Sequence, residues 1–154
     1  MTQTIESRLA DLGVTLPTAA APAANYVPYV RTGNQLFISG QLPMGPDGLE
    51  FAGKLGDDLS VKDGKSAAKL CAINLLAQAK AATGDLEQVV RLVKIVGFVN
   101  STPDFAQQPQ VINGASDFLV EAMGDKGRHA RSAVSAASLP FGAGVEIEAI
   151  FEIA

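Results

Sequence analysis

The residue types that could do chemistry in this chain are concentrated in its last 26 residues, where an arginine precedes three glutamates. Arg131 lies in the run His129-Ala130-Arg131-Ser132, and the glutamates lie within residues 144–153. A planar guanidinium can donate two parallel hydrogen bonds to a carboxylate, and a partly buried carboxylate can accept and return a proton. Whether the arginine and a glutamate act together depends on the elements that carry them.

The C-terminal segment has the period-two pattern of a β-strand with one buried face. A second strand is predicted at residues 129–134. The link at residues 139–144 is too short for a parallel crossover, so the two strands run antiparallel, either as neighbours or with one strand between them. The alternating residues are the apolar Val145, Ile147, Ala149, Phe151 and Ile153 and the acidic Glu146, Glu148 and Glu152.

The direction of these strands separates Arg131 from Glu146. Arg131 lies at the open end of its strand and Glu146 lies beside the link, so about seven residues of strand rise, roughly 20 Å, are expected between them. The two side chains then cannot touch within one chain. If both serve one site, two chains must assemble it.

Ordinary structural roles would also explain these residues. Arg131 could be a solvated residue at a strand edge, and the glutamates could form the polar face of a half-buried strand. His129 is the single histidine and has no cysteine or second histidine to complete a ligand cluster, so no metal site is predicted. A surface or loop position is expected for it instead.

The composition indicates a single domain over residues 1–154, in which residues 1–27 form an N-terminal helix and an extended segment. Of the 154 residues 47% are apolar, which suffices for a sizeable core. The formal charge of −4 argues against an extended phosphate-binding surface, so nucleic acid is not an expected partner. The single cysteine cannot form an internal disulfide, and neither a secretory leader nor an apolar run of about 20 residues is recognised. These features predict a cytoplasmic protein that does not enter a membrane.

Helices and strands alternate along the rest of the chain. A short helix at residues 4–12 precedes a proline-rich extended segment at residues 17–28. A hairpin around Gly33-Asn34 is predicted at residues 29–42. A helix at residues 60–82, a central strand within residues 86–100 and a second long helix at residues 109–123 follow. Cys71 falls on the apolar stripe of the first long helix, which predicts a packed core position.

This order predicts an α+β fold with a mixed sheet. Two main helices covering one face of the sheet is the economical arrangement. The other face must then be covered by something else, and an oligomer interface is the obvious candidate.

Several segments, taken together, resemble the YjgF/YER057c/UK114 family, also called the RidA family of reactive-intermediate deaminases. They occur in family order and at close to family spacing from residue 28 to the C-terminus. The matching segments are Pro28-Tyr29, residues 36–43 with Pro46-Asp47-Gly48, residues 99–105, residues 130–134, and Leu139-Pro140 leading into residues 145–149.

The resemblance implies a chorismate-mutase-like subunit and a homotrimer with a cleft between each pair of neighbouring subunits. It implies that Arg131 binds the carboxylate of a small substrate and that Glu146 of the adjoining subunit directs the attacking water. No cofactor is implied. The further cleft positions that the resemblance assigns are Tyr29, Ser39, Gly40, Asn113 and the backbone of Ala133, where many members have cysteine.

The activity implied by the resemblance is hydrolytic deamination of small enamine or imine acids to 2-keto acids and ammonia. A small-carboxylate sensor without catalysis is a second hypothesis. A ribonuclease or translation inhibitor is a third, against which the acidic charge and the lack of a histidine pair argue. Ser39 has no partner for nucleophilic activation, so a hydrogen-bonding role is expected. The alanine at position 133, an insertion at residues 107–109 and the long N-terminal segment indicate a divergent branch.

Overall fold

The computed structural model describes residues 3–22 and 24–154. The predicted domain and its extended segment include Met1, Thr2 and Ala23, which lie outside the described residues. The helices are α1 (Ile5–Asp11), α2 (Val61–Thr83) and α3 (Gln108–Met123), and the strands are β1 (Tyr29–Thr32), β2 (Gln35–Gln41), β3 (Met44–Gly45), β4 (Gly48–Leu49), β5 (Val89–Asn100), β6 (Ala130–Ala136) and β7 (Val145–Ile153).

Five of the strands form one sheet in the order β1-β2-β7-β5-β6. β5 and β6 run parallel, and the other neighbouring pairs run antiparallel. β6 and β7 are therefore antiparallel with β5 between them, which is one of the two arrangements predicted. α2 and α3 pack on one face of the sheet, where alternate residues of β7 from Val145 to Ile153 join the buried core. The predicted α+β architecture is confirmed.

The register on β5 sets the relation between Arg131 and Glu146. Arg131 pairs with Ile95 and Glu146 pairs with Phe98, so the two positions are three residues apart along the strand direction. With strand rise and strand spacing included, their Cα atoms lie roughly 14 Å apart. The predicted 20 Å was too long because β7 begins alongside β6 rather than beyond its end. The odd offset also directs the two side chains to opposite faces of the sheet.

Sequence signals at the helix ends explain where the helices begin and stop. Thr4 before α1 and Ser60 before α2 each accept a hydrogen bond from the backbone N–H three residues later, in a reciprocal capping box. α2 ends at Gly84, whose φ of 78° favours glycine. α2 and α3 approach closely at Gly114, where a Cβ would overlap the backbone carbonyl of Lys65. Within the described ranges, none of the helices has the length and apolarity to span a membrane.

The residues that the structure describes form two hairpins, of which one was predicted. The predicted hairpin joins β1 to β2 and turns at Gly33, whose φ is 58°. The second joins β3 to β4, and its two-residue strands are too short to leave a periodic pattern in the sequence. The side-chain amide of Asn74 fastens it to α2 by donating to the carbonyls of Leu42 and Met44, at 3.1 Å each.

Cys71 is a core residue of α2, as its stripe position predicted. Its side chain is fully buried, and its Sγ lies 3.6 Å from the carbonyl oxygen of Val145. Burial raises the pKa of the Cys71 thiol well above its ordinary value, and the nearby Glu146 carboxylate raises it further. A thiol in this setting stays protonated and unreactive.

Candidate active site

A cavity of about 420 Å³ lies beside the first residues of β7. The segment before β1, the strand β2, the β3–β4 hairpin and the turn before β7 enclose it. Three of the predicted site residues, Ser39, Gly40 and Glu146, line this cavity together. Among the described residues that line it, Glu146 is the only one with a charge. A cavity of this volume lies within the usual range of small-molecule sites.

The carboxylate of Glu146 lies against the backbone of β2 at Gly40. A Cβ built on Gly40 would collide with the Glu146 carboxyl group, so the side chain can occupy this position only because residue 40 is glycine. β2 has a register irregularity between Ile38 and Gln41, which re-aims the strand at this point. The glycine and the irregularity together make room for the carboxylate.

Glu146 is held in a setting that favours its neutral form. Burial raises the pKa of the Glu146 carboxyl above its ordinary value, and the Glu148 carboxylate on the same strand raises it further. No cation from the described ranges offsets either effect. A carboxyl group whose pKa is raised towards neutrality is suited to accepting and returning a proton.

Ser39 fastens the segment before β1 to the sheet. Its hydroxyl donates to the carbonyl oxygen of Val27 at 3.2 Å, and its backbone N–H donates to the carbonyl oxygen of Pro28 at 2.9 Å. The hydrogen-bonding role expected for Ser39 agrees with these contacts. They hold Tyr26 and Pro28 in the cavity wall.

Arg131 and Asn113 line a different, shallower depression on the α3 side of the sheet. Nη1 of Arg131 donates to the hydroxyl of Ser116 at 3.0 Å, and Nη2 donates to the carbonyl oxygen of Pro109 at 3.3 Å. Both acceptors belong to α3, so this helix sets the direction of the guanidinium. No acidic side chain of the described residues forms a salt bridge with it. The charge of Arg131 therefore remains available to an anion.

His129 extends this hydrogen-bonded group. Its Nδ1 lies in hydrogen-bonding distance of the Gly127 carbonyl, which can only accept, so Nδ1 is the protonated nitrogen of the neutral ring. Nε2 then accepts from the Ser116 hydroxyl, 2.9 Å away. Burial lowers the pKa of His129, the hydrogen bond to the Gly127 carbonyl partly offsets this, and the Arg131 charge lowers the pKa further. His129 lies in the loop just before β6, as expected, where it is half-buried and bonded through both nitrogens.

Two predicted site residues, Tyr29 and Ala133, line neither recess. Both are partly buried and pack against the hydrophobic core. Tyr29 pairs with Ile38, whose side chain is buried on the helix-covered face. Tyr26, three residues earlier, lines the Glu146 cavity instead. The structure thus brings together Ser39, Gly40 and Glu146, and separately Asn113 and Arg131.

Sequence reasoning missed Ser116 and the apolar wall of the cavity. Ser116 lies one helical turn after Asn113, so its spacing could have placed it on the same face of α3. Phe141 has a φ of 58°, a conformation rare for a residue with a Cβ, and its side chain is 76% exposed. Neither property leaves a signal in the sequence. Such strained residues often occur at functional sites.

The chain is similar to proteins of several organisms. A family model described as "YjgF/chorismate mutase-like, putative endoribonuclease" matches residues 6–151. Protein TCP17 of Trypanosoma cruzi is 50% identical over 97% of this chain and 94% of its own length. The solved structure of Atu1372 from Agrobacterium tumefaciens is 52% identical, with a TM-score of 0.92 over 97% of this chain and 92% of that one.

More distant solved structures share the fold. RidA from Psychrobacter sp. PAMC 21119 is 30% identical, with a TM-score of 0.62 over 88% of this chain and 94% of that one. TdcF of E. coli, solved with bound serine, is 26% identical, with a TM-score of 0.64 over 88% of this chain and 94% of that one. The family model covers nearly the whole chain and agrees with the solved structures and with the resemblance of the sequence segments to the YjgF/YER057c/UK114 family. The chain therefore belongs to the YjgF/chorismate mutase-like family.

Proposed function

We propose that this protein hydrolyses imine and enamine acids to 2-keto acids and ammonia, in a site that two copies of the chain build together. The observation that carries the proposal is the division of the two charged groups. Glu146 lies in a cavity whose described lining has no cation, and Arg131, on the other face of the sheet, forms no salt bridge with a described acidic residue, Asp117 of the same depression included. The described part of the Glu146 cavity lacks a cation that could bind a substrate carboxylate, and Arg131 of a second copy would supply one.

The uncovered face of the sheet supports an oligomer. Val30, Phe37 and Val134 are exposed on it, opposite the face that α2 and α3 cover. A homotrimer arranged head to tail would bury such a face around a closed ring and bring Arg131 of one copy towards the Glu146 cavity of the next. Burial of exposed apolar area is the driving force that association of this kind requires.

In this proposal Arg131 binds the substrate carboxylate and leaves the imine carbon beside Glu146. Glu146 takes a proton from water as its oxygen attacks the imine carbon, and the C=N electron pair moves to nitrogen. The imine reacts in its N-protonated form, so this addition gives a neutral carbinolamine. Glu146 returns its proton to the amine nitrogen, the C–N bond breaks as the hydroxyl oxygen forms the C=O bond, and the hydroxyl proton passes to water, which leaves the 2-keto acid and ammonia. The serine bound to TdcF supports the proposal, since it shows that a related protein binds a small molecule with an α-carboxylate and an α-nitrogen.

Turnover of 2-aminoacrylate by Arg131→Ala tests the function. Loss of a charged anchor costs on the order of 2–4 kcal/mol of transition-state stabilisation, so kcat/KM should fall by roughly 30-fold to 1,000-fold. Arg91→Ala, an exposed arginine on β5 outside both recesses, is the matched control and should keep the wild-type rate. A wild-type rate in Arg131→Ala contradicts the role given to the arginine.

The same preparations separate the other two hypotheses. Binding of 2-ketobutyrate by calorimetry without any turnover of an imine would indicate a carboxylate-binding module. Cleavage of RNA that is unaffected by Arg131→Ala would instead support the endoribonuclease activity that the family description names. The first result overturns the deaminase proposal, and the second does so when no imine is hydrolysed.

A further inference from the structure

The Glu146 cavity is lined largely by apolar side chains that remain exposed in the single chain. Tyr26 is 53% exposed, Met44 is 39% exposed, and both line the cavity, as does Phe141. Met44 pairs with Leu49 across the β3–β4 hairpin, so the hairpin presents two apolar residues to one wall. Exposed apolar residues gathered around one recess mark a surface that a ligand covers.

The size of this cavity exceeds what a small imine needs. A cavity of about 150 Å³ is large enough to hold benzene. The volume here, about 420 Å³, therefore holds the imine group and a substituent of ring size as well. A substrate such as 2-aminoacrylate, with a single CH2 group beyond its imine carbon, would leave most of the apolar wall uncovered.

The charges of the cavity fix which end of a substrate enters it. Glu146 is the charged residue of the described lining and repels a carboxylate. The substrate carboxylate must therefore stay outside, at the guanidinium of a neighbouring copy, while the imine carbon lies beside Glu146. The remaining substituent, the side chain of the parent amino acid, then lies against Tyr26, Met44 and Leu49.

We infer that the substrates of this protein are imine acids with a bulky apolar side chain, branched aliphatic or aromatic, seated in the cavity that the segment before β1 and the β3–β4 hairpin enclose. This inference rests on the proposed function and adds the substrate class to it. Both walls of the cavity belong to one chain. The hydroxyl of Ser39 holds the segment before β1, and the side-chain amide of Asn74 holds the β3–β4 hairpin. The selectivity is therefore built into each subunit.

Competition among imines tests the inference. An amino-acid oxidase with catalase generates imines from L-leucine, L-phenylalanine and L-alanine, and semicarbazide traps whatever the protein leaves. An apolar pocket discriminates about 10-fold to 200-fold per methylene. We expect kcat/KM at least about tenfold higher for the leucine-derived or phenylalanine-derived imine than for the alanine-derived one. Equal or faster turnover of the alanine-derived imine overturns the inference and leaves the proposed function standing.

A binding measurement keeps the two proposals separate. If no imine is hydrolysed, the proposed function fails. Calorimetry with phenylpyruvate, 4-methyl-2-oxopentanoate and pyruvate then tests, independently of catalysis, whether the cavity binds bulky apolar side chains. Tighter binding of the two bulky keto acids supports an apolar binding site for the side chain, and equal affinities contradict it.

A matched pair of variants assigns the selectivity to the cavity wall. Met44→Ala removes an apolar side chain from the wall, so the ratio of kcat/KM for the leucine-derived and alanine-derived imines should fall about tenfold. Leu12→Ala, at the end of α1, removes a similarly exposed side chain outside the cavity and should leave the ratio unchanged. An unchanged ratio in Met44→Ala contradicts the inference.

Discussion

Within a single chain the charged form of Glu146 is disfavoured, because burial and Glu148 both raise the pKa of its carboxyl. Its pKa in the folded state lies above the unfolded value of 4.5. The folded state therefore binds more protons than the unfolded state between those two values, and its stability falls as pH rises through that window. At pH values above the folded-state pKa, the full free-energy cost of the buried charge lowers the stability. Glu146→Gln removes the charge and keeps the shape.

We expect Glu146→Gln to raise the melting temperature at pH 7 and to abolish deaminase activity. A single stabilising substitution commonly contributes about 0.5–2 kcal/mol. Thermal unfolding of both proteins at pH 7 and pH 4, at one protein concentration, checks the sign: the difference should be present at pH 7 and small at pH 4. A variant less stable than wild type at pH 7 contradicts the account of Glu146.

Ser116 positions the Arg131 guanidinium. Its hydroxyl accepts from Arg131 and lies between that residue and His129. Ser116→Ala leaves Arg131 with the Pro109 carbonyl as its remaining acceptor among the described residues. A lost hydrogen bond of this kind costs about 0.5–1.5 kcal/mol, so KM should rise roughly 2-fold to 10-fold with little change in kcat.

Conservative replacement tests whether the hydroxyl of Ser116 is the group that matters. Ser116→Thr keeps a hydroxyl and should restore a near wild-type KM. Glu121→Ala, an exposed change on the same helix, should have no effect. If Ser116→Thr is as impaired as Ser116→Ala, the hydrogen bond to Arg131 is not what the serine contributes.

Strand β2 positions the Glu146 carboxylate through the missing side chain at residue 40. In Gly40→Ala the new methyl group occupies the carboxylate position, so Glu146 must move. The carboxylate lies at the end of a flexible side chain, so the fold should survive with a small loss of stability. A displacement of about 1 Å in a reacting group can cost about 100-fold in rate. We expect a loss of that order in kcat, with a melting temperature close to that of wild type.

Gly45→Ala is the matched control for this prediction. Its new methyl group would also meet a carboxylate, that of Glu50, but Glu50 is exposed and free to move. Activity should be retained. Full activity in Gly40→Ala would show that the position of Glu146 does not limit the reaction.

Elements with strong periodicity or end signals were predicted from the sequence, and elements defined by tertiary contacts were not. The capping residue Ser60 and the stop at Gly84 bracketed α2 to within a residue, and the alternation over residues 145–153 gave β7. The β3–β4 hairpin depends on Asn74, about 30 residues away in sequence. The side-chain direction of Tyr29 depends on its pairing with Ile38. Neither relation is visible in a local pattern.

At the scale of the whole molecule, strand direction alone predicted that Arg131 and Glu146 do not meet in one chain. The predicted reason, the distance along the strands, was incomplete. The register on β5 also directs the two side chains to opposite faces, and this register cannot be read from the sequence. If Arg131 and Glu146 serve one site, the corrected geometry strengthens the argument for a second chain. Side chains on opposite faces cannot converge by any small movement of the strands.

A mixture of two inactive variants tests a site shared between copies. Arg131→Ala keeps an intact Glu146, and Glu146→Gln keeps an intact Arg131. In a three-membered ring assembled at random from equal amounts, about a quarter of the clefts receive both intact groups. Chains with different tags, co-expressed and purified through both tags, should therefore regain a substantial fraction of wild-type activity, while each variant alone stays inactive. If mixed oligomers form without any recovery, Arg131 and Glu146 do not act in one cleft.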